Sequence, residues 1–372
     1  MQWEEEGFTY SPHPLRQVIY GPGRLAVLPS VMERLVATRA VVITSPSLVS
    51  TGLAQAVVDA AGGFVTAVFG KVRPHSPIEV VEQAVDDTLS AGADCVISLG
   101  GGSSVDTAKG VVHFHRERTG ARLRHVAIPS TLSGAEYSAG AGITHGALKR
   151  IYRSDLYCEV VLLDPVVAAE TPVDVFLPSG LNAIAHCVEG ICSVAGNAVS
   201  EAIMLQAIRV LAGALPALKQ DSADLAARGR AQVGAALAGI GSAGIPVGLE
   251  HALAHAVGGM YKAPHAVVHA ILITPVMRFN KAAVLEAQSA IGSALGKESD
   301  GATHEEVAER AIAAIDDLLG LLGIPSRLRA LGVRGEDLEQ LARSAWDDPC
   351  FPTNPRRVTS IQEVVGVLQD AL

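Results

Sequence analysis

The apolar pattern of this chain changes its period near residue 170, and that change limits the possible folds more than any other feature. Before it, short and nearly continuous apolar runs alternate with helical patterns, which is typical of a parallel sheet covered on both faces. Beyond it, apolar residues recur almost wholly at helical spacing. The strand-like runs are residues 40–44, 64–69, 95–99, 125–128 and 160–163, and the helical patterns are residues 77–91, 199–218, 221–238, 251–258, 304–322 and 335–345.

Pattern and length together predict two domains. A chain of 372 residues exceeds the roughly 250 to 300 residues that one core usually supports. The best boundary is the step from Thr171 to Pro172, because proline disfavours helix in the residue before it and can itself begin one. We therefore predict an α/β domain with a Rossmann-like parallel sheet over residues 1–171 and an all-α domain over residues 172–372.

Charge and composition exclude several classes of function. The chain has 29 Lys and Arg against 38 Asp and Glu, and this acidic balance disfavours binding to nucleic acid or to an anionic membrane. No uninterrupted apolar run reaches the roughly 18 residues of a membrane span, and the first residues do not resemble a signal peptide. The 5 cysteines are scattered without a CxxC pair, which argues against disulfides and a thiolate zinc site. We expect a cytoplasmic protein whose partner is a small molecule.

A glycine-rich segment, GGGSSVDTAKG, follows the strand-like run at residues 95–99 and opens a helical pattern. Three glycines allow close approach of the backbone to a ligand, and the first N–H groups of a helix suit a pyrophosphate. The segment is neither a GxGxxG fingerprint nor a Walker loop, so it predicts phosphate binding only, with a tight turn that binds nothing as the alternative. The candidate contacts are Gly100, Gly101, Gly102, Ser103, Ser104 and Asp106.

Small hydroxyl side chains follow two other strand-like runs. Ser130, Thr131 and Ser133 come after residues 125–128 and are candidate contacts for a ribose or a nicotinamide, although a loop capped by its own serines is an equal alternative. Ser45 follows residues 40–44, where a site selective for NAD carries an acidic residue against the ribose 2'-hydroxyl. Since no carboxylate there repels a 2'-phosphate, we predict that NADH and NADPH are both used. Lys149 is a further candidate for cofactor binding.

Histidines cluster in the helical half of the chain. Asn182 and His186 are four residues apart, so both point the same way from a helix. The same spacing recurs in two further pairs, which are His251 with His255 and His265 with His269. A single histidine on an apolar face is usually a hydrogen-bonded core residue, but three such pairs indicate a polar cleft.

Together these motifs resemble the iron-containing alcohol dehydrogenase family, and the resemblance runs nearly from end to end. The matching segments are residues 20–23, 100–110, 164–165, 180–189, 248–259 and 264–265, with residues 129–136 in a divergent form. The resemblance implies a dinucleotide-binding α/β domain followed by an all-helical metal and substrate domain, which is the dehydroquinate synthase-like architecture. It also implies that cofactor and substrate lie in the cleft between the domains.

The resemblance also implies a set of metal ligands. Asn182 would replace the family's aspartate beside His186, His251 and His265, and the four would hold Fe²⁺ or Zn²⁺. His255 would lie near the nicotinamide or the substrate. An amide in place of a carboxylate removes one negative charge and one strong oxygen ligand, which weakens a site for a divalent cation.

The asparagine is itself similar to a feature of one branch of the family, the maleylacetate reductases. GLNAIAH at residues 180–186, PHAVVH at residues 264–269 and NPRRV at residues 354–358 resemble that branch, whereas residues 132–137 depart from it. The resemblance implies an NADH- or NADPH-dependent reduction of maleylacetate to 3-oxoadipate in the degradation of aromatic compounds. The substrate would be a small organic acid.

Two mechanisms remain open on this architecture. Without a metal, His255 and His265, with His186 and His251 beside them, would stabilise enolate charge and supply the proton for reduction of a conjugated double bond. With Fe²⁺ or Zn²⁺ bound, the protein would be an alcohol or aldehyde dehydrogenase that uses the cation as a Lewis acid. A nucleotide-binding protein without catalysis and a phosphate-eliminating cyclase of the dehydroquinate synthase type are further alternatives. The alanine-rich helices also suggest a homodimer.

Overall fold

The computed structural model describes Tyr10 and residues 14–146, 148–153, 155–298 and 300–372. Its contacts divide the chain into two compact units. The described part of the first unit is residues 14–172, apart from the gaps at residues 147 and 154, together with Ala223–Val233, and that of the second is Tyr10 with residues 173–222 and 234–372 apart from the gap at residue 299. The first unit is built on a parallel sheet and the second is helical, which confirms the fold class predicted from the change in apolar period.

The strands found in the described residues all belong to the first unit. They are β1 Gln17–Tyr20, β2 Ala40–Ile43, β3 Val65–Phe69, β4 Cys95–Gly100, β5 Arg124–Pro129, β6 Gly140–His145, β7 Leu148–Arg153 and β8 Val160–Leu163. Six of them form a parallel sheet in the order β1-β8-β5-β4-β2-β3. Gly100 at the end of β4 pairs with Pro129 at the end of β5. The segments that follow these two strands therefore leave the sheet side by side at its carboxyl edge.

Helices cover the sheet and form the second unit. In the first unit they are α1 Leu28–Arg34, α2 Pro46–Ser50, α3 Leu53–Ala60, α4 Ile78–Ser90, α5 Gly102–Thr119 and α6 Pro165–Ala169. They are followed by α7 Val173–Cys192, α8 Ala198–Gln220, α9 Leu225–Ser242, α10 Leu249–Tyr261, α11 His265–Asn280, α12 Leu285–Ala294, α13 His304–Leu322, α14 Leu338–Trp346 and α15 Ile361–Ala371. Of these, α9 contributes residues to both units.

Some elements differ from the sequence-based prediction. Strand β1 and the antiparallel hairpin of β6 and β7 were not predicted, because β1 is an exposed edge strand and β6 begins with the glycine-rich stretch GAG. The helix predicted over residues 221–238 begins at Leu225. Its late start has a local cause, since the Asp224 carboxylate accepts a hydrogen bond of 2.9 Å from the backbone N–H of Ala227 and so caps the helix.

Within the described parts of the second unit, two helices are long and apolar enough to cross a membrane by length and composition alone. They are α7 and α8, with 89% and 44% of their most apolar windows buried in the structure. Helix α7 packs against α8 and α11 and carries Asn182 and His186 of the candidate site. Packing within a helical core therefore accounts for the apolar character of α7.

Candidate active site

The glycine-rich segment forms a tight connection between β4 and α5. Gly100 has a φ of +132°, and a Cβ atom at this position would lie 2.7 Å from the Ser104 hydroxyl oxygen. A side chain is therefore excluded both by backbone conformation and by space. The backbone N–H of Ser130 donates a 3.0 Å hydrogen bond to the carbonyl of Gly100. This bond joins the segment after β5 to the glycine turn.

The segment that follows β5 lies against the glycines of the turn. A Cβ atom added at Gly101 would meet the side chain of Thr131 at 3.1 Å, and one added at Gly102 would meet that of Ser133 at 3.4 Å. The Ser133 hydroxyl is buried and has no hydrogen-bond partner among the residues that the structure describes. A buried hydroxyl beside bare backbone at the start of an 18-residue helix fits a phosphate group.

The remaining candidate cofactor contacts fall into different settings. Ser103 accepts a hydrogen bond from the backbone N–H of His75, whereas Ser104 is buried in the first turn of α5. Ser45 lies just beyond β2 on the same sheet edge, and its hydroxyl is 2.8 Å from that of Ser47. Lys149 lies on β7. These residues share one unit, but their polar groups do not all converge on the glycine turn.

Lys149 is paired with Asp106 rather than isolated. The stem of Lys149 lies over Gly142, where a Cβ atom would clash with the Lys149 Cε and would lie 3.4 Å from the Asp106 carboxylate. Burial raises the pKa of Asp106, and the nearby cations of Lys149 and Lys109 oppose that rise. The two residues thus form an electrostatic pair on the β6–β7 side of α5.

Lys109, in the same sequence motif, has a structural role. Its ammonium group is fully buried and donates hydrogen bonds to the carbonyls of Ala135 and Gly140, at 2.7 and 3.1 Å, and to both oxygens of Ser138. Burial lowers the pKa of Lys109. The lysine holds the segment after β5 against α5 and so keeps Thr131 and Ser133 next to the glycine turn.

The histidine site is built on three helices of the second unit. Helix α7 carries Asn182 and His186, α10 carries His251 and His255, and α11 begins at His265 and carries His269 one turn later. Glu189 of α7 positions α10, because one of its carboxylate oxygens accepts hydrogen bonds from the backbone N–H groups of Gly248 and Glu250 at 2.9 and 3.0 Å. This is a side-chain cap supplied by a neighbouring helix.

His186 and His251 meet through their Nε2 atoms, 3.2 Å apart. His186 Nδ1 lies 2.8 Å from the carbonyl of Asn182 and must donate to it, so its Nε2 accepts. His251 Nδ1 lies against the carboxylates of Glu189 and Glu250, and its Nε2 is then the donor to His186. His251 is therefore an imidazolium with both nitrogens protonated.

The pKa values of the two rings agree with this assignment. Burial, with the charge of His251, lowers the pKa of His186 to about 4. Burial opposes protonation of His251 as well, but the carboxylates of Glu189 and Glu250 outweigh it and raise the pKa of His251 to about 10. The pair shares one positive charge near neutral pH.

Glu250 connects this pair to a second one. Its carboxylate oxygens lie 2.7 and 2.8 Å from His269 Nδ1 and, on the other side, 3.0 Å from His251 Nδ1. His269 Nε2 is in turn 2.9 Å from His265 Nε2. Glu250 and His269 are almost completely buried. Glu250 thus links the pair of His186 and His251 to the pair of His265 and His269.

His255 makes its hydrogen bond to a residue outside this set of four histidines. Its ring stacks on that of His265 at 5.9 Å between centroids. His255 Nδ1 donates a 2.9 Å hydrogen bond to Asp348, whose other oxygen accepts from the backbone N–H of Cys350 at 2.8 Å. Burial tends to raise the pKa of Asp348, but these hydrogen bonds outweigh it and lower the pKa. The Asp348 carboxylate therefore fixes the orientation of the His255 ring through Nδ1. The second nitrogen of the ring, Nε2, lies on the opposite side.

The donor atoms fit a divalent cation. Two nitrogens bound to one tetrahedral Zn²⁺ at about 2.0 to 2.1 Å are separated by about 3.3 Å, close to the 3.2 Å between the Nε2 atoms of His186 and His251. Asn182 Oδ1 is buried and has no hydrogen-bond partner in the described parts of the chain. Of the ligands implied by the family resemblance, the structure brings His186 and His251 into direct contact, and His265 joins them through His269.

Three acidic residues of the site were not identified from the sequence. The spacing in the sequence could have indicated Glu189, because Asn182, His186 and Glu189 fall on one helix face at positions i, i+4 and i+7. No sequence pattern indicated Glu250 or Asp348, since these residues reach the cluster only through the packing of α10 against α11 and α14.

Comparisons with known proteins cover both halves of the chain. Residues 15–165 match the family model described as iron-containing alcohol dehydrogenase, and residues 176–372 match that of the C-terminal part of the Fe-containing alcohol dehydrogenase family. The maleylacetate reductase of Rhizobium sp. (strain MTP-10005) is 31% identical over 96% of each chain. The NAD-dependent methanol dehydrogenase of Bacillus methanolicus is 29% identical over 95% of this chain and 97% of its own. The crystal structure of the Rhizobium maleylacetate reductase superposes with a TM-score of 0.86, at 31% identity over 98% of both chains.

Proposed function

Because the chain belongs to the iron-containing alcohol dehydrogenase family of oxidoreductases, we propose that it is an NAD(P)H-dependent reductase of the maleylacetate reductase type. The reaction would add a hydride and a proton across the conjugated double bond of maleylacetate and yield 3-oxoadipate. The substrate class is a small dianion whose double bond is activated by a carbonyl group.

The observation that carries this proposal is a neutral amide beside a protonated imidazole. Asn182 adds no negative charge next to His186, and His251 is held as an imidazolium by Glu189 and Glu250. Both carboxylates lie on the Nδ1 side of that ring, and its Nε2–H is directed at His186, so the positive charge of the pair is presented away from the two carboxylates. Such a site tolerates an anionic substrate and stabilises the enolate charge that develops during reduction.

Each imidazole can be given a role from its contacts. His255 is the proton donor through Nε2, because its side chain is 27% exposed and Asp348, which accepts from Nδ1, stabilises the doubly protonated ring from which Nε2 donates. His265, which stacks on His255, stabilises the enolate oxygen, and the positive charge shared by His186 and His251 attracts a substrate carboxylate electrostatically. The nicotinamide, when bound, would supply the hydride.

The glycine turn and its neighbouring loop would hold the cofactor diphosphate, with Gly100, Gly101 and Gly102 as the backbone contacts and Ser133 as a hydroxyl donor. Ser45 adds no carboxylate at the end of β2. We therefore expect kcat/KM for NADH and for NADPH to differ by less than about a hundredfold, which corresponds to about 2.7 kcal/mol.

The function is tested by following nicotinamide absorbance with the purified protein, maleylacetate and either cofactor. One cofactor should be oxidised per maleylacetate consumed, and His255→Gln should lose at least about a hundredfold in kcat because general acid catalysis contributes that much. Turnover of simple aldehydes or alcohols together with none of maleylacetate would contradict the proposal.

A second candidate is a metal-dependent alcohol or aldehyde dehydrogenase. The Nε2 spacing of His186 and His251 and the similarity to a methanol dehydrogenase favour it. Zn²⁺ or Fe²⁺, held by His186, His251 and His265 with Asn182, would act there as a Lewis acid towards a carbonyl oxygen. Aldehyde reduction that chelation abolishes and added metal restores would select this candidate.

A further inference from the structure

We propose that a divalent cation with affinity for sulfur, such as Zn²⁺, binds to His255 Nδ1, the Asp348 carboxylate and Cys350 Sγ. These three ligand atoms all lie within 4.8 Å of one another. None of the three residues belongs to the ligand set that the family resemblance implies, so the site is separate from the family's metal site. Binding of the cation does not depend on which substrate is reduced, whereas its effect on turnover rests on the proposed role of His255.

The site joins α10 to the segment that follows α14. His255 lies on α10, and Asp348 and Cys350 lie just beyond Trp346, the last residue of α14. Asp348 Oδ2 is 2.9 Å from His255 Nδ1. Two such atoms bound to one tetrahedral Zn²⁺ are separated by about 3.4 Å, so a cation in place of the shared proton widens this contact by only about half an ångström.

Backbone hydrogen bonds position the segment that carries two of the ligands. The N–H of Cys350 donates to Asp348 Oδ1 at 2.8 Å, which leaves Oδ2 for the cation. The carbonyl of Cys350 accepts from the Thr353 hydroxyl at 2.7 Å, and that hydroxyl also contacts the carbonyl of Val247 just before α10. The segment is therefore tied to the helix that carries His255. Such partners behind a ligand orient it and strengthen metal binding.

The three ligand residues are within reach of solvent. The side chains of His255 and Asp348 are 27% and 14% exposed. Cys350 is partly buried, whereas the other four cysteines of the chain are fully enclosed, which are Cys95, Cys158, Cys187 and Cys192. A cation from solution can therefore reach this thiol and these two donors. Three protein ligands with a fourth position left for water are usual for Zn²⁺ sites that are not purely structural.

Charge and donor type select the cation. On binding, the Cys350 thiol releases its proton to solvent, and His255 keeps one proton, on Nε2. The thiolate and the Asp348 carboxylate then supply two negative charges to a cation that carries two positive ones. A thiolate and an imidazole suit Zn²⁺ and do not suit Mg²⁺, which prefers oxygen ligands.

A cation bound here should inhibit the reduction that we propose. With Nδ1 bound to the cation, the His255 ring cannot be doubly protonated, and donation from Nε2 would leave an imidazolate. Saturating Zn²⁺ should therefore lower kcat for maleylacetate by at least about a hundredfold, which is the least that general acid catalysis contributes. A chelator should restore the rate.

The decisive experiment detects the thiolate ligand directly. Full-length protein with its thiols reduced is stripped of metal and titrated with Co²⁺. A bond between Co²⁺ and a thiolate gives a charge-transfer absorption band in the near ultraviolet, which nitrogen and oxygen ligands do not give. We expect a saturable band that Zn²⁺ removes by competition and that Mg²⁺ leaves in place. Absence of this band in the folded parent protein would overturn the proposal.

Variants assign the band to this site. Cys350→Ser should abolish it. His255→Gln and Asp348→Asn should each raise the Kd for Co²⁺ by at least about tenfold, because even the partners behind metal ligands contribute about 10- to 100-fold. The matched controls are His186→Gln, which alters the family's ligand set, and Cys187→Ala, which removes the buried thiol beside it; both should retain the band. A band that survives Cys350→Ser, or that is lost in a folded control, would overturn the proposal.

Alkylation of the parent protein tests the same site without a variant. Because the thiolate is the nucleophile and Zn²⁺ would hold it, saturating Zn²⁺ should slow the reaction of Cys350 with iodoacetamide by at least about tenfold. Mg²⁺ should not slow it, and mass spectrometry measures the rate. Equal rates with and without Zn²⁺ would overturn the proposal.

Failure of the site and failure of the proposed function give different results. A Co²⁺ band that depends on Cys350, together with a kcat that Zn²⁺ does not change, would confirm the site and contradict the role of His255. The same band in a protein that does not reduce maleylacetate would confirm the site and contradict the proposed function. Circular dichroism of each metal-free variant shows whether it is folded.

Discussion

The contact between His255 and Asp348 leads to a prediction that separates positioning from packing. In Asp348→Asn, the backbone N–H of Cys350 still requires an oxygen acceptor, which it now has at 2.8 Å. The amide oxygen would therefore face Cys350, and the amide NH₂ would face His255 Nδ1. Two donors cannot share that contact, so His255 should change tautomer and carry its proton on Nε2 instead.

The magnitude follows from the bond that is lost. A hydrogen bond between a histidine and a carboxylate contributes about 1.5 to 3 kcal/mol, and solvent screening reduces this little because the Asp348 side chain is 14% exposed. At about 1.36 kcal/mol per tenfold, kcat should fall by roughly 10- to 150-fold. KM should change by less than about threefold, since His255 acts as proton donor rather than as a binding group.

Steady-state kinetics with maleylacetate measure the rates, and NMR of ¹⁵N-labelled histidine reports the tautomer of His255. Asp347→Asn, which changes the exposed neighbouring aspartate, is the control and should leave both unchanged. A kcat within about twofold of the parent, with His255 still protonated on Nδ1, would refute the reasoning. The tautomer decides the question even if maleylacetate is not the substrate.

Three further predictions concern the first unit. Gly100→Ala should weaken NADH binding by at least about tenfold in a fluorescence titration, because the new Cβ strains the backbone and clashes with Ser104; Gly120→Ala, a left-handed glycine with open space at the far end of α5, should not. Lys109→Met should lower the urea unfolding free energy by about 3 kcal/mol, since several buried carbonyl groups lose their donor, whereas Met at the exposed Lys71 should have little effect, and equal losses would refute the role of Lys109. Burial raises the pKa of Glu136 to about 7 from 4.5, so its contribution to stability is complete below pH 4.5 and is lost as the pH rises through 7. The parent should therefore lose about 3 kcal/mol more than Glu136→Gln between these pH values, and parallel pH profiles would contradict this.

The apolar period was sufficient to predict the fold because the parallel strands are buried on both faces. The runs at residues 40–44, 95–99 and 160–163 are apolar along nearly their whole length for that reason. Strand β1 and the β6–β7 hairpin could not be predicted in this way. They lie partly exposed, and exposed strands need not carry apolar residues at every position.

The histidine cluster was predictable only within each helix. The spacing of four residues shows that Asn182 and His186 share a face, but it does not show that His251 stands between two glutamates or that His269 shares one of them. Those relations depend on how α7, α10 and α11 pack. Residues separated by 62 and 93 positions, as His251 is from Glu189 and His255 from Asp348, are brought together by tertiary structure alone.

The buried ammonium group of Lys109 also has a consequence for chemical modification. Acylating reagents and acyl-phosphate metabolites react with neutral, accessible lysine amines, and Lys109 is fully enclosed and hydrogen-bonded to three residues of the neighbouring segment. Its amine can be acylated only in molecules whose first unit has opened. Mass-spectrometric occupancy at Lys109, compared with the exposed Lys71, would therefore record how often this unit unfolds during the lifetime of the protein.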